Sequence, residues 1–134
     1  MIVTDNYIKQ HFPFAYCADT TYYCPSHQWM DKCFRYYKGV VRMLNILAWK
    51  THNDCDDKAT GFRWLAGVLW GRAKERPAQA VAIAEVHYKR DKGGAHAINA
   101  VFMKNGSICY VEPQGPEWVH LSAQEIDSIY FVRL

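Results

Sequence analysis

The feature that most constrains this chain is a change of period just after residue 70. Upstream, apolar residues recur at helical spacing; downstream they alternate as they do in strands. From Gln28 to about Lys50 the helical series runs through Trp29, Cys33, Tyr36, Tyr37, Val40, Val41, Leu44, Leu47 and Ala48. Gly39 is its weak point, so one long helix or two short ones fit. "THND" breaks that series, and Asp54 suits the N-cap of a second helix running from Cys55 to about Trp70. Cys55, Ala59, Phe62, Ala66 and Leu69 share one stripe of it, which predicts a buried helix. Gly71 is a natural terminator, and "RAKERPAQ" reads as a polar loop.

After that loop come "AVAIAEVHYK" (80–89), "AHAINAVFM" (95–103), "SICYVEP" (107–113) and "SIYFVRL" (128–134), each patterned as a strand. "RDKGG" and "KNG" supply turns, and a short helical turn is expected near Ser122. Helices followed by an antiparallel sheet make an α+β chain. Residues 1–28 carry little period and are punctuated by Pro13 and Pro25, so packed irregular structure with one short helix is expected there.

Composition bounds the rest. A chain of 134 residues can bury a core without metal or disulfide staples, and it reads as one domain over 1–134. Residues 1–50 form an N-terminal helical and irregular layer, and 51–134 form the core. Half the residues are hydrophobic and 15% aromatic, which excludes disorder. The formal charge of +3 is spread along the chain, so there is no strong nucleic-acid signal. The N-terminus lacks a basic segment followed by an apolar one, and the most apolar window, 62–69, is too short to cross a membrane. A cytoplasmic protein with its five cysteines reduced is the expectation.

Chemistry concentrates at Cys55. A helix start favours an anion and lowers a thiol's pKa, and Asp54, Asp56 and Asp57 fit as cap and dipole partners. His96 begins one strand and Glu112 ends the next. A two-residue loop at Asn105-Gly106 would set His96 roughly opposite position 115, within a few residues of Glu112 and Gln114. A helix-start cysteine, a strand-borne histidine and a polar neighbour make a nucleophile, a base and an orienting group. Taken singly, each has a plainer reading: a core thiol, a satisfied histidine, a solvated strand end. Asn99 falls on the strand face opposite His96. Cys17, Cys24, His27 and Cys33 are separated by six, two and five residues, which fits no zinc pattern, so no metal site is assigned.

The segments "DCDDKA", "HAINAVF", "NGSICYVEPQ" and "IDSIYFVRL" together resemble the papain-like and transglutaminase-like cysteine peptidases. The nearest likeness is to a small Cys-His-Glu family that includes the protease domain of the Marasmius oreades lectin and phage-encoded relatives. The resemblance covers roughly residues 50–134, with 41 residues from Cys55 to His96 and 16 from His96 to Glu112. It implies a papain-like core, with the central helix packed on the C-terminal sheet. It also implies an amide-bond hydrolase or transferase acting on a peptide or protein through an acyl-enzyme. Cys55 would be the nucleophile, His96 the base and then acid, and Glu112 the orienting residue. A papain-like glutamine six residues before the cysteine would fall on Trp49, so Asn53 or Gln114 would join the Cys55 N–H at the oxyanion. No cofactor is required, and calcium enters only by analogy with the fungal relatives. Two alternatives stand beside this: a phage-encoded binding or effector protein with little turnover that inhibits or recruits a host partner, and a cell-wall peptide endopeptidase. The latter expects Ser-Gly after the cysteine where this chain has Asp-Asp.

Overall fold

The computed structural model describes residues 1–45, 54–73 and 77–134. Its frame is a five-stranded antiparallel sheet in the order β7 (Glu117–Val119), β6 (Ile108–Glu112), β5 (Ala95–Phe102), β4 (Ile83–Lys89), β8 (Phe131–Arg133). Two helices lie on one face. Helix α2 (His27–Met43) starts at Ser26, whose hydroxyl accepts the Trp29 N–H at 3.2 Å. Helix α3 (Cys55–Gly71) starts at Asp54, whose N–H donates to the Asp57 carboxylate at 3.3 Å. Met30, Phe34, Phe62, Ala66 and Trp70 of these helices pack on Ile83, Val101, Met103 and Val111 of the sheet. Among the described residues no helix is long and apolar enough to cross a membrane.

The opposite face carries a second core. Ala84, Val86, Ile98, Ala100, Phe102 and Tyr110 meet Ile8 and Phe12 around helix α1 (Asp5–His11), together with Tyr22. The N-terminal segment, expected to be largely irregular, contributes two strands here. β1 (Ile2–Thr4) pairs antiparallel with β2 (Thr21–Tyr23), and β2 pairs parallel with β3 (Ala80–Val81). A short helix α4 (Ala123–Asp127) follows Ser122, which caps it.

Two details depart from the sequence reading. The strand expected over 80–89 is divided at Ala82, so that β3 joins the small sheet and β4 the large one. Ala82 donates its N–H to Tyr23 O at 2.8 Å and accepts Phe102 N–H at 3.1 Å, tying the two sheets through one fully buried small residue. The β5–β6 hairpin has a three-residue loop rather than a two-residue one. Val101 faces Cys109, Met103 N–H donates to Ser107 O at 2.8 Å, and Gly106 takes the left-handed conformation at φ 87°. A one-residue change of register exchanges the faces of a strand, and this one brings Glu112 onto the face of His96.

Candidate thiol site at the head of the central helix

Polar contacts fix how α3 lies on the sheet. Thr60 Oγ1 donates to Glu85 Oε2 of β4 at 2.8 Å, and Asn99 Nδ2 of β5 donates to Ala59 O at 2.9 Å. One turn earlier, Asp56 is close enough to His87 of β4 for that charge to favour its ionised form. The helix therefore runs parallel to β5 and antiparallel to β4. Cys55, one turn before Ala59, comes to the end of the sheet where β5 starts, which is where His96 stands.

His96 Nε2 and Glu112 Oε2 are 2.7 Å apart, and both side chains are mostly buried. The other carboxylate oxygen of Glu112 accepts the Gln114 N–H at 3.0 Å. Burial alone would raise the Glu112 pKa. The His96 hydrogen bond, the Gln114 N–H and the charges of His96 and Lys58 outweigh it and hold the carboxyl below its ordinary range. A carboxylate on Nε2 fixes the imidazole with its proton there and leaves the Nδ1 lone pair as the acceptor. Nδ1 has no hydrogen-bond partner among the described residues, and no hydrogen bond joins His96 to the Cys55 thiol. Strand alternation starts the His96 side chain on the face of Ile98, at the same end of the sheet as the start of α3.

The remaining expected residues are placed as follows. Cys55 is partly exposed, as are Cys17 and Cys109, while Cys24 and Cys33 are buried; all five are free. Asn53, like Trp49, lies outside the described residues. Gln114 contributes its backbone N–H to Glu112. The Asp54 and Asp56 carboxyls share a hydrogen bond, which raises the first and lowers the second, so these acids engage one another. Among the described residues no three His, Cys, Asp or Glu side chains gather as a metal site.

Two participants escaped the sequence reading. Lys58 is 3% exposed and lies near enough to Glu112 to lower its pKa. A second acid–imidazole pair, His87 Nε2 with buried Glu85 Oε1 at 2.8 Å, sits beneath Thr60 on β4. Its signal was available in "EVH", whose two-residue spacing places acid and imidazole on one strand face.

No protein-family model matches the chain, and no curated protein matches it. Two solved structures resemble it over nearly its full length. One is a complex of PSL1a with E64, at TM-score 0.78 and 18% identity, covering 99% of this chain and 51% of that one. The other is Polyporus squamosus lectin bound to the human-type influenza-binding epitope Neu5Acα2-6Galβ1-4GlcNAc, at TM-score 0.73 and 18% identity, covering 99% and 49%. At that identity the likeness shows the fold alone. The chain spans about half the length of the lectin chains it matches.

These findings correct the resemblance drawn from the motifs. The structures that superpose on the chain are a lectin's, so the papain-like or transglutaminase-like assignment and its papain-like core give way. In their place stands an α+β fold shared with about half of a lectin chain. The readings that depended on the assignment go with it: the amide-bond hydrolase or transferase, the lean towards a cysteine peptidase, and the peptide or protein substrate. The phage effector and the cell-wall endopeptidase fall as well. The physical reason lies in the motifs themselves. "DCDDKA" is a helix cap with first-turn acids, and "HAINAVF" with "NGSICYVEPQ" is a hairpin around an Asn-Gly turn. Any chain that folds a helix onto a hairpin needs such features.

Proposed function

We propose that Cys55, His96 and Glu112 form a reactive-thiol site that captures an electrophilic small ligand covalently. The observation that carries this reading is the 2.7 Å His96–Glu112 bond at the end of the sheet to which α3 delivers Cys55. In this site Glu112 holds the imidazole and Nδ1 takes the thiol proton as sulfur attacks. The complex of the neighbour PSL1a with E64 supports the reading, as a small ligand held by a protein of related fold, and an epoxide is a suitable electrophile for such a thiol. Attack by sulfur on an epoxide carbon forms a C–S bond and breaks a C–O bond. The imidazolium returns its proton to the ring oxygen, leaving a thioether and a hydroxyl.

The test is mass spectrometry of the native protein after exposure to E64 at pH 6 to 7, with the modified peptide mapped. One adduct on Cys55 is expected, with its rate falling at least about a hundredfold in His96→Ala, the lower end of the range for loss of a positioned base. Labelling of Cys55 no faster than of Cys17 or Cys109 overturns the reading.

A second reading, glycan binding, is favoured by the lectin structure that holds Neu5Acα2-6Galβ1-4GlcNAc. The chain matches about half of that lectin, so the neighbour supplies the class of ligand and no seat for it. This chain has its own candidate seat, and the test of the second reading goes with it.

A further inference from the structure

On the flank of α3 away from α2 lies a cleft of about 530 Å³, walled by Thr60, Arg63 and Trp64 on one side and by Asp19, Tyr22 and Gln79 on the other. Arg63 is the unexplained residue in it. Its Nε is buried without a hydrogen-bond partner, and no ion pair reaches Arg63 among the described residues. Burial pushes the Arg63 pKa down, the nearby Arg133 pushes it down further, and Glu85 only partly offsets the two. Glu85 is already engaged by Thr60 and His87, and its distance to Arg133 Nη2 is 3.9 Å. A half-buried guanidinium left over in this way is a seat for a carboxylate, which it meets with two parallel N–H donors.

The rest of the cleft suits a ring bearing hydroxyls. Trp64 follows Arg63 directly and is 68% exposed, an indole face large enough to cover one side of a sugar ring. Asp19 and Gln79 line the opposite wall, where hydroxyl groups can donate to the carboxylate and pair with the amide. The Asp19 N–H donates to Tyr22 Oη at 2.8 Å, which braces that wall. Mostly apolar lining with a few converging polar groups is the usual make-up of a small-molecule site.

We propose that this cleft binds an acidic sugar, with Arg63 on the carboxylate, Trp64 against the ring, and Asp19 and Gln79 on the hydroxyls. The proposal rests on the glycan reading and gives it a place in this chain, apart from the thiol site. It is tested by titrating ¹⁵N-labelled protein with methyl glucuronide, with the neutral methyl glucoside, and with Neu5Acα2-6Galβ1-4GlcNAc, following the indole signals. The acidic sugar is expected to bind at least tenfold tighter than the neutral one and to move the Trp64 indole. Arg63→Gln, which breaks no ion pair among the described residues, is expected to erase that preference. Gly67 offers a second variant, because a Cβ there meets nothing within 4 Å and the residue lines the cleft. Gly67→Leu should fill the cleft and abolish binding while the helical signal stays intact. Equal affinity for the two methyl glycosides, or an unchanged preference in Arg63→Gln, overturns the proposal. If the trisaccharide binds and neither variant weakens it, the glycan reading survives and the cleft does not. If none of the three sugars binds, both fall.

Discussion

At the scale of single residues, the site is a question of which proton sits where. Glu112 reaches His96 Nε2 with one oxygen and the Gln114 N–H with the other, and its carboxyl titrates lower in the folded chain than an ordinary glutamate. A depressed folded pKa means that the ionised carboxylate stabilises the fold at pH above the unfolded value of about 4.3. That stabilisation is lost as the pH falls through the lower folded value. Glu112→Gln should therefore cost about 1.5–3 kcal/mol at pH 7, as expected for a hydrogen bond to a charged group, and almost nothing at pH 2. Urea midpoints of the two proteins at both pH values check this, and a constant difference across pH would show that the charge is not what matters. Cys55, His96 and Glu112 were legible as a group because order and residue type alone suggest a nucleophile, a base and an orienting acid. Lys58 was not, since a lysine one turn into a helix reads as solvated, and only tertiary packing buries it.

At the scale of elements, the decisive fact is a loop length. The pattern of "AHAINAVFM" and "SICYVEP" announces a hairpin, but not whether two or three residues turn it. The choice decides whether Glu112 shares a face with His96 or with Asn99. Three residues turn it, with Gly106 at φ 87° and open space where a Cβ would stand. The cost of Gly106→Ala is thus conformational rather than steric, about 1 kcal/mol for a left-handed L-residue. A larger loss, seen as a lower urea midpoint together with a weaker His96–Glu112 pairing in ¹⁵N spectra, would mean that the turn sets the register of the site. The split of the expected 80–89 strand was hidden for a related reason. Alternation continues unbroken through Ala82, and only the partner strands, β2 on one side and β5 on the other, reveal that two sheets share the segment.

At the scale of the molecule, the helices and the strand-rich second half were written in periodicity, whereas the small sheet was not. Strands β1, β2 and β3 have three residues or fewer, and β3 meets β2 at a separation of 58 residues (Tyr22 to Ala80), so no local pattern marks them. They matter because they close the second core. One face of the large sheet buries Cys24 at 0% exposure and the other buries Cys33 at 2%. Burial raises both thiols, Cys24 to about 11 and Cys33 to about 12, so neither reacts while its own face stays packed. The sheet itself is common to the two cores, with neighbouring residues of β4 and β5 turned to opposite sides. If it couples them, neither face can open alone, and the chain unfolds as one cooperative unit. Short pulses of iodoacetamide at pH 8 across a urea series, with the labelled cysteine identified, read each face separately. Cys24 and Cys33 are expected to become reactive at the same urea concentration. Separate midpoints would mean that the N-terminal layer of α1, β1 and β2 opens on its own while the helices stay docked.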